Sequence, residues 1–453
     1  MRFPWARKRS TRRGLAATAA AALALAAAGC GGGSGGSGGS PDTGKKVDPS
    51  AVQGALDKPA EITFWTWVPN IDKTVALFEK KYPNVKVNIV NGGLSKDEYI
   101  KLTTALKAGS GAPDVVQVEY SALPQFALTK SLVNLADYGA SDLKDKFTPS
   151  AWSQVNVAGG VYGIPQDTGP MAMFYRKDVF DKIGATPPKT WDEFAAVAKK
   201  VHDADPTVSM TFADPDDPGT ATSMMWQFGG KPFTVKGTDI AVDLKSDPGA
   251  KTYAEVFGPL VKDKLVDGTA GYSSDWWTSM AAGKYAVWMA GAWAPNVLEQ
   301  FIPQSKGQWG VAPMPGGGSA ENGGSSVAVT TQAKNKEASI AFAEWLNSDP
   351  EAVRSLNGDV GLFPATNALL DDPAFRSAEV RFFPGQKPNE VFSEMSKAVR
   401  PGWQYLPYEV YADSVFKDTV GQALTSGGDL GAALAGWQDR IKSYGKEQGF
   451  TVK

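Results

Sequence analysis

Residues 61–90, EITFWTWVPNIDKTVALFEKKYPNVKVNIV, decide the fold class of this chain. The first seven residues are aromatic and β-branched, which predicts a buried strand. In the segment that follows, Ile71, Val75 and Phe78 recur at the spacing of one helical face. The last six residues, VKVNIV, predict a second strand. The stretch therefore predicts a β-α-β unit, in which the helix carries the chain back so that the two strands run parallel.

The same alternation continues along the chain. KDEYIKLTTALKAG (96–109) predicts a helix and PDVVQVE (113–119) a third strand. Further strands are predicted at 285–291 and 325–331, and the C-terminal third is mainly helical. The TWDE motif that begins at Thr190 has the spacing of a capping box at a helix start. These elements predict two α/β lobes, and no single cut along the chain assigns every element to one of them.

The N-terminus has the marks of an export signal. Residues 1–29 combine six Lys and Arg with an apolar run too short to span a membrane. AAGC, ending at the lone Cys30, resembles the lipobox of a bacterial lipoprotein, and a chance cysteine after a plain signal peptide is the alternative. TRRGLA partly resembles a twin-arginine motif, so the export pathway stays open. Residues 30–57, rich in Gly and Ser at first, predict a lipid-anchored flexible linker.

Charge and cysteine content exclude several classes of function. Removal of 1–29, which has six basic and no acidic residues, leaves 40 Lys and Arg against 48 Asp and Glu. A net-acidic protein is a poor partner for nucleic acid, so none is expected. With Cys30 carrying lipid, no thiol remains for a disulfide or a thiolate metal site. We expect no metal, no cofactor and no membrane contact other than the N-terminal lipid.

Signals for catalysis are weak. His202 is the only histidine, and its place near the end of an amphipathic helix predicts a solvated residue rather than a catalytic one. The chain has no phosphate-binding GxxxxGK[ST] loop and no GxGxxG after a strand. DPDDPG (214–219) reads as a polar turn, with a calcium loop as the alternative. Glu119, Asp167 and Asp275 could be the paired carboxylates of a glycoside hydrolase, or could accept hydrogen bonds from sugar hydroxyls.

Aromatic residues are more informative than acids. Sugar rings have apolar faces, and an indole offers a large rigid surface for stacking on them. Trp67 follows a strand at its carboxyl end, where open α/β sheets place ligand crevices, whereas Trp65 is expected in the core. Residues 275–295 contain four tryptophans. Trp288 lies in mid-strand and is expected in the core, whereas Trp293, after the strand, is the strongest stacking candidate.

Several ordered motifs together carry a family resemblance. From about residue 60 to 445 the chain resembles the bacterial extracellular solute-binding proteins of ABC sugar importers, the family that includes maltose-binding protein. The motifs are EITFWTW, ALFEKKYPNVKVNIV, GAPDVVQVEYSALPQFALTKSLVNL, GVYGIPQDTGPMAMFYRKDVFDKIGATPPKTWDEF, MAAGKYAVWMAGAW, VAVTTQAKNKEASIAFAEWLNSDPEAV and GLFPATNALL. The lipoprotein-like signal is independent of these motifs and agrees with the resemblance.

The resemblance implies a fold of two α/β lobes, class II among periplasmic binding proteins, joined by a hinge around an interlobe cleft. Crossings between lobes are implied near 166–172, 310–325 and 358–366. Lobe one would comprise 58–167 plus 320–362, and lobe two 168–315 plus 363–453. The implied partners are a sugar ligand and an ABC permease with a separate ATPase, and the implied protein is a monomer on the outer face of the cytoplasmic membrane.

The resemblance also assigns ligand-binding residues, all in loops at the cleft. They are Trp67, Asn70, Glu119, Tyr120, Gln166, Asp167, Asp275, Trp276, Gly291, Trp293, Phe363, Trp403 and Tyr405. Trp276 and Trp277 are helix neighbours and cannot share a face, and Trp276 is the one preferred for the cleft. An exported glycoside hydrolase and a binder of a non-sugar solute remain alternatives. A polyamine would need more acids in the cleft and an anion more Arg, and neither excess occurs among the candidates.

Overall fold

The computed structural model describes residues 46–93 and 96–453. Within these ranges the strands are β1 (Ala60–Trp65), β2 (Val85–Val90), β3 (Val115–Glu119), β4 (Asn156–Val157), β5 (Gly160–Val161), β6 (Ile164–Arg176), β7 (Thr211–Phe212), β8 (Phe233–Lys236), β9 (Asp239–Val242), β10 (Val266–Asp267), β11 (Val287–Gly291), β12 (Trp309–Ala312), β13 (Glu321–Val329) and β14 (Thr451–Val452).

The α-helices of the same ranges are α1 (Pro49–Gly54), α2 (Ile71–Lys81), α3 (Lys96–Ala108), α4 (Leu123–Leu128), α5 (Pro149–Val155), α6 (Lys177–Lys182), α7 (Trp191–Ala204), α8 (Gly219–Gln227), α9 (Pro248–Lys262), α10 (Ser274–Ala281), α11 (Ala294–Phe301), α12 (Lys336–Ser348), α13 (Pro350–Ser355), α14 (Asn367–Leu370), α15 (Pro373–Ser377), α16 (Pro388–Ala398), α17 (Glu409–Ser414), α18 (Gln422–Ser426) and α19 (Leu430–Glu447).

Short 3₁₀ and π-helical turns complete the described structure. They are Ala55–Asp57, Leu135–Tyr138, Ala140–Lys146, Pro303–Ser305, Leu356–Val360 and Lys417–Gly421.

The β-α-β unit predicted from residues 61–90 is confirmed. β1 pairs in parallel with β2 and with β3. Ile71, Val75 and Phe78 of α2 are buried, as one apolar face requires. Phe78 packs against Phe342 of α12 with ring centroids 4.8 Å apart, so this face also meets a helix from much later in the chain.

Two helical segments compare directly with the sequence prediction. The Thr190 hydroxyl accepts a hydrogen bond of 3.1 Å from the Glu193 amide, so the predicted cap of α7 is confirmed. The prediction that the C-terminal third is mainly helical is confirmed, with an interruption within residues 408–427. The chain forms α17 and α18 with a π-helical turn, Lys417–Gly421, between them. Gly421 lies so close to the carbonyl of Pro215 that a Cβ there would clash with it, and the turn accommodates this contact.

The main sheet has the order β11-β6-β13-β3-β1-β2, and β12 also pairs with β6. β6 is its longest strand. The first part of β6 pairs with β13, and the last part, Met171–Arg176, pairs with β11 and β12. Pairing of β6 with β13 is irregular between Glu321 and Gly324, where the register shifts. β6 therefore joins two differently composed halves of the sheet.

Two separate hydrophobic cores lie on these halves. The first core contains buried residues from Val52 to Ile164, from Val327 to Leu356, and Ala365. The second contains residues from Met171 to Ala320, Val353, and residues from Phe363 to Val452. The main chain passes from one core to the other three times, which brings segments far apart in sequence to the boundary between the cores.

The N-terminal limit of the folded part requires a correction. The flexible linker was expected to extend to residue 57, but α1 and the turn after it are packed on the first core. Val52 and Leu56 are buried, and the Asp48 carboxylate caps α1 through the Ser50 amide at 2.9 Å. These apolar contacts order a segment whose composition resembles a linker. The predictions for residues 1–29, for Cys30 and for the first part of the linker concern residues outside the described ranges.

The described residues contain neither a membrane-spanning helix nor a cluster of metal ligands. No helix in them is long and apolar enough to cross a membrane. No three His, Cys, Asp or Glu residues in them are grouped so that they could hold a metal ion. Residues 214–219 form a turn in which the Asp214 carboxylate accepts hydrogen bonds from the amides of Asp216 and Gly271, at 2.8 and 2.7 Å.

Candidate functional site

An open cavity of about 930 Å³ lies where the two cores meet. Its lining comes from loops and strand ends that belong to both cores. Aromatic and polar side chains of the lining include Trp67, Gln117, Glu119, Tyr120, Asp167, Asp216, Asp217, Ser223, Tyr272, Trp293, Glu321, Asn322, Ser325, Tyr405, Glu409, Asp413 and Lys417. A cavity of this size with aromatic faces and several hydrogen-bonding groups suits a small polar ligand.

Two half-buried tryptophans provide the largest apolar surfaces of the lining. Trp67 packs edge to face on Tyr99, with ring centroids 6.1 Å apart. Trp293 packs edge to face on the buried Trp288 at 5.5 Å. The Nε1 of Trp293 donates a hydrogen bond of 2.7 Å to the Asn322 carbonyl. Both rings are held at their edges by neighbours, an arrangement that orients a ring for stacking.

A row of polar side chains crosses three adjacent strands at the cavity. Ser325 of β13 is paired with Glu119 of β3 on one side and with Asp167 of β6 on the other. The Ser325 amide and hydroxyl donate to Asp167 Oδ1 at 2.9 and 2.5 Å. Gln117 donates to the Ser325 hydroxyl at 2.9 Å, which fixes the orientation of that hydroxyl. The pairing of the strands therefore sets Glu119 and Asp167 on either side of Ser325.

Two carboxyls at the cavity have raised pKa values. Loss of water around Asp167 raises its pKa to about 6, although its bonds to Ser325 oppose the shift. Burial raises the pKa of Glu321 to about 7, and its bonds to the Ser150 hydroxyl and the Gly169 amide oppose this. Because neither carboxyl is paired with a cation among the described residues, desolvation of the charged form decides the direction.

A third acid of the lining with a raised pKa is Glu409 of α17. Burial raises the pKa of Glu409 well above its usual value, and the nearby Asp413 carboxylate adds to the shift. One oxygen of Glu409 accepts a hydrogen bond of 2.7 Å from the Leu406 amide. At the outer edge, Lys417 forms an ion pair of 2.9 Å with Asp216. Both of these side chains are well exposed, so the pair contributes little to stability.

The lining overturns one argument made from the sequence. Acids were not in excess among the candidate residues, and this counted against a cationic ligand. In the structure seven carboxyl side chains line the cavity, namely Glu119, Asp167, Asp216, Asp217, Glu321, Glu409 and Asp413, with Lys417 as the basic residue of the lining. Because Asp167, Glu321 and Glu409 have raised pKa values, the negative charge of the lining is smaller than seven ionised carboxylates would give. The choice of ligand class must therefore rest on other observations.

Six of the predicted ligand-binding residues are brought together at the cavity. They are Trp67, Glu119, Tyr120, Asp167, Trp293 and Tyr405. Tyr120 is buried behind the surface, and its hydroxyl donates a hydrogen bond of 3.0 Å to the Asp167 carbonyl. Whether each of the six contacts a ligand remains a prediction. Trp288, expected in the core, is 2% exposed, and that expectation is confirmed. Trp65 is half-buried against the first core.

The preference for Trp276 as a cleft residue is wrong. Trp276 is 1% exposed and packs against Phe212 and Trp277 at 4.8 and 4.5 Å. Trp277 is also buried, and its ring stacks on Phe301 at 4.7 Å. Both indoles are therefore enclosed by aromatic side chains of the second core. Asp275, next to them, is exposed in the first turn of α10 and lies outside the lining.

Trp403 and Phe363, two other predicted aromatic contacts, are also core residues. Trp403 is 2% exposed and stacks on Trp226, with centroids 5.4 Å apart and ring planes 9° apart. Phe363 is buried against Phe375 and Phe392. In both cases the ring packs against aromatic side chains of the second core and lies outside the cavity lining.

Three smaller predicted contacts also lie outside the lining. Asn70 is exposed before α2, in a left-handed conformation with φ of 61°. Gln166 is buried on β6 beside Asp167, and its Oε1 lies 3.4 Å from the Ser325 hydroxyl that donates to Asp167, behind the cavity lining. Gly291 lies behind Trp293, where a Cβ would meet both the indole and the Asn322 carbonyl. It makes room for the tryptophan.

Sequence reasoning missed the acids and amides of the second core and of β13, where the chain passes between the cores. Glu321 and Asn322 follow a glycine-rich segment without periodicity, so no pattern signalled them. Glu409, Asp413 and Lys417 do carry a signal, because spacings of four place side chains on one helical face. Asp216 and Asp217 were noticed only as a polar turn.

The sequence of the chain matches a known family model. Residues 63–353 match the model described as bacterial extracellular solute-binding protein. The chain belongs to this family. The expected family and the expected fold of two α/β lobes are thereby confirmed. The description of the family as extracellular makes this chain an exported protein.

Relatives and solved structures extend the match to most of the chain. A lactose-binding protein of Rhizobium radiobacter is 28% identical over 74% of this chain and 81% of its own. One solved structure is that of the ABC transporter associated binding protein from B. animalis subsp. lactis Bl-04 in complex with β-1,6-galactobiose. It is 39% identical to this chain with a TM-score of 0.75, and the match covers 87% of this chain and 100% of that one. The galacto-N-biose-/lacto-N-biose I-binding protein of Bifidobacterium longum, solved with lacto-N-biose, is 27% identical and has a TM-score of 0.75 over 87% of this chain and 99% of that one.

These matches decide the class of function. The chain is a carbohydrate-binding receptor of an ABC transporter, as the sequence predicted. The members that it matches are binding proteins and not enzymes.

Proposed function

We propose that the chain captures a short β-linked galactoside in the cavity between its two lobes and presents it to an ABC permease. The observation that carries this proposal is the 39% identity, over 87% of this chain, to a binding protein solved with β-1,6-galactobiose. The acid-rich cavity suits such a ligand, because a carboxylate accepts hydrogen bonds from two adjacent sugar hydroxyls.

In the proposed complex the two tryptophans and the carboxyls act on different parts of the sugar. Trp67 and Trp293 stack on the apolar faces of the rings, while Glu119 and Asp167 accept hydrogen bonds from hydroxyls. The lobes, 58–167 plus 320–362 with α1 packed on them, and 168–315 plus 363–453, close on the ligand. The sugar favours the closed state because only that state places both lobes in contact with it.

Isothermal titration calorimetry with matched sugars tests the proposed ligand. We expect β-1,6-galactobiose, lacto-N-biose or lactose to bind more tightly than maltotriose by at least about tenfold, equivalent to about 1.4 kcal/mol. Tighter binding of maltotriose would overturn the galactoside assignment and keep the sugar receptor. A thermal-shift panel over the same sugars gives an independent ranking, since a ligand specific to the native state raises the melting temperature.

We further propose that binding involves no covalent chemistry, although the cavity contains two carboxyls of the kind that glycoside hydrolases use. Prolonged incubation of each bound disaccharide with stoichiometric protein, followed by chromatography, tests this. Intact sugar is the expected result. Release of monosaccharide that is lost in both Glu119→Gln and Asp167→Asn would instead establish the hydrolase.

At the N-terminus, which lies outside the described residues, we propose that residues 1–29 are removed and that Cys30 carries the lipid. The mature protein is then a monomer held on the outer face of the cytoplasmic membrane. Cell fractionation of wild type and Cys30→Ala tests the anchor. The variant should move from the membrane pellet to the soluble exported fraction, and retention in the pellet would contradict lipidation. Light scattering of the protein without its lipid tests the monomer.

A further inference from the structure

The irregular segment of β13, Glu321 and Asn322, contacts parts of both lobes. One Glu321 carboxylate oxygen accepts a hydrogen bond of 3.0 Å from the Ser150 hydroxyl, and the other accepts one of 2.9 Å from the Gly169 amide. Ser150 belongs to α5 on the first core, and Gly169 lies in β6 where that strand passes between the cores. Glu321 is 1% exposed, so these two bonds hold a side chain that has almost no access to water.

The main chain of the same segment is bound to the second core. The Ser223 hydroxyl of α8 donates a hydrogen bond of 2.9 Å to the Glu321 carbonyl. The Asn322 side chain donates to that same hydroxyl at 3.3 Å. Glu321 therefore ties α5 of the first core to α8 of the second through its side chain and its carbonyl.

The next carbonyl along the segment sets the position of a cavity tryptophan. Asn322 O accepts the hydrogen bond from Trp293 Nε1 at 2.7 Å. Gly169 and Gly291 leave the space that this contact needs, since a Cβ on either residue would collide with the Asn322 carbonyl. A shift of Glu321 would move this carbonyl, and the indole bonded to it would follow.

We propose that Glu321 is a positioning residue for sugar binding, which fixes the stacking face of Trp293 by tying the irregular segment of β13 to α5 and β6. The inference rests on the proposed sugar-binding function and goes beyond it. Glu321 acts on Trp293 through the main chain of Asn322. The loss of affinity on removing the Glu321 side chain should therefore not exceed the loss on removing the Trp293 ring.

The charge state of Glu321 makes the hydrogen bonds of its carboxyl depend on pH. The bonded partners of its carboxyl are neutral, and Asp167 on β6 is a charged side chain that raises its pKa further. Tyr120 after β3 and Tyr405 near the second core are the titratable hydroxyls that face it. Although the Glu321 side chain is already buried, closure of the lobes would exclude solvent from the adjacent cavity, and the lower polarity there would favour the protonated form.

The protonated form preserves both contacts. One oxygen still accepts from the Gly169 amide, and the carboxylic O–H donates to the Ser150 hydroxyl. Ser150 then donates its own proton to the Thr148 hydroxyl, which lies 3.2 Å away. A glutamine provides the same pattern, with its amide NH₂ toward Ser150 and its carbonyl toward Gly169.

Calorimetric titration of β-1,6-galactobiose into a set of variants tests the proposal. Glu321→Ala should weaken binding by about tenfold in wild type but by no more than about twofold in a Trp293→Ala background, because the two changes remove one shared effect. Ser150→Ala should weaken binding in the same direction. Equal losses from Glu321→Ala in the two backgrounds, or no loss in wild type, would overturn the proposal.

The conservative variant Glu321→Gln distinguishes a positioning role of Glu321 from a general loss of folding. Glu321→Gln should bind within about threefold of wild type at pH 6. The ratio of wild-type affinity to Glu321→Gln affinity should be lower at pH 8 than at pH 6. At pH 8 wild type must take up a proton on closure, and the variant does not. An identical pH dependence of the two proteins would overturn the coupling to charge. The matched control is Glu344→Gln, since burial raises the pKa of Glu344 to about 7 as well, but Glu344 accepts its hydrogen bond from Gln53 of α1 and is outside the cavity lining.

The outcomes distinguish this inference from the proposed function. A wild-type protein that binds none of the sugars overturns both. A wild-type protein that binds β-1,6-galactobiose with unchanged affinity after Glu321→Ala overturns the inference alone.

Discussion

The indole nitrogen of Trp293 donates a hydrogen bond of 2.7 Å to the main-chain carbonyl of Asn322. Trp293 follows β11 of the second core, whereas Asn322 lies in β13, the strand that leads to the first core. The bond satisfies the single polar atom of the indole and sets the angle of the ring. One wall of the cavity is therefore attached to a strand that passes between the cores.

Trp293→Ala should weaken sugar binding by roughly 1–3 kcal/mol, because truncation of a stacking aromatic removes contact area and orientation together. Calorimetry with β-1,6-galactobiose measures the loss. The matched control is Trp191→Ala, which removes another half-buried indole of the second core, packed on Phe194 and Phe228 and outside the cavity lining. The control should lose stability without losing affinity. Equal affinity of Trp293→Ala and wild type would exclude Trp293 from the site.

Trp276→Phe should affect stability and not binding. The ring lies in an aromatic cluster, and its Nε1 has no hydrogen-bond partner among the described residues. Replacement by the smaller ring leaves a small cavity but removes an unsatisfied donor, so we expect a loss of about 1–2 kcal/mol. Urea unfolding measures this loss, and titration of the folded protein should return the wild-type affinity. A weaker affinity at unchanged stability would restore Trp276 to the site.

Asp167→Asn should weaken binding at neutral pH more than at acid pH. Loss of water raises the pKa of Asp167 to about 6, so the wild-type side chain is a carboxylate at pH 7.5 and is largely protonated at pH 5. A charged acceptor contributes about 1.5–3 kcal/mol to a hydrogen bond, and asparagine removes the charge. The affinity ratio of wild type to variant, measured by calorimetry, should fall as pH falls through 6.

The control for that experiment is Asp275→Asn, which changes an exposed acid outside the cavity lining. It should bind as wild type does at both pH values. A ratio of wild type to Asp167→Asn that stays constant from pH 5 to pH 7.5 would contradict the role of the Asp167 charge.

Glu98→Gln should stabilise the fold at alkaline pH. Burial raises the pKa of Glu98 to about 8 from an ordinary 4.5; Lys101 opposes the shift and Glu119 adds to it. Between these values the native state binds more protons than the unfolded state, so wild-type stability falls as pH rises from about 4.5 to 8. Glu98→Gln has no ionisable group at this position, so its free energy of unfolding should not fall in this way. The difference in unfolding free energy should grow to at most about 5 kcal/mol at pH 8.5.

Urea unfolding at pH 5 and pH 8.5 measures the effect of Glu98→Gln. Glu61→Gln is the matched control, since Glu61 is exposed on β1 and its carboxyl is in contact with water in both states. A stability gain of Glu98→Gln that is equal at the two pH values would show that the charge of Glu98 has no part in it.

Local sequence patterns predicted those parts of the site that follow strands. Trp67 after β1, Glu119 at the end of β3 and Trp293 after β11 were all expected at the cavity and line it. Alternation and helical spacing predict where a strand ends, and the ends of adjacent strands in a sheet lie together. The same reasoning failed for Trp276 and Trp403, because the choice between core and cleft depends on which aromatic neighbours cover the ring.

By itself, the sequence determined the β-α-β units, the family and the class of function, because each depends on short-range periodicity or on ordered motifs. The tertiary structure alone decided the cavity chemistry. Glu321 meets Ser150 across 171 positions of chain, and Trp293 meets Asn322 across 29. Such contacts arise where β6 and β13 pass between the two cores, and no local pattern encodes them. The burial of Glu321 and Asp167, which raises their pKa values, follows from the same long-range packing.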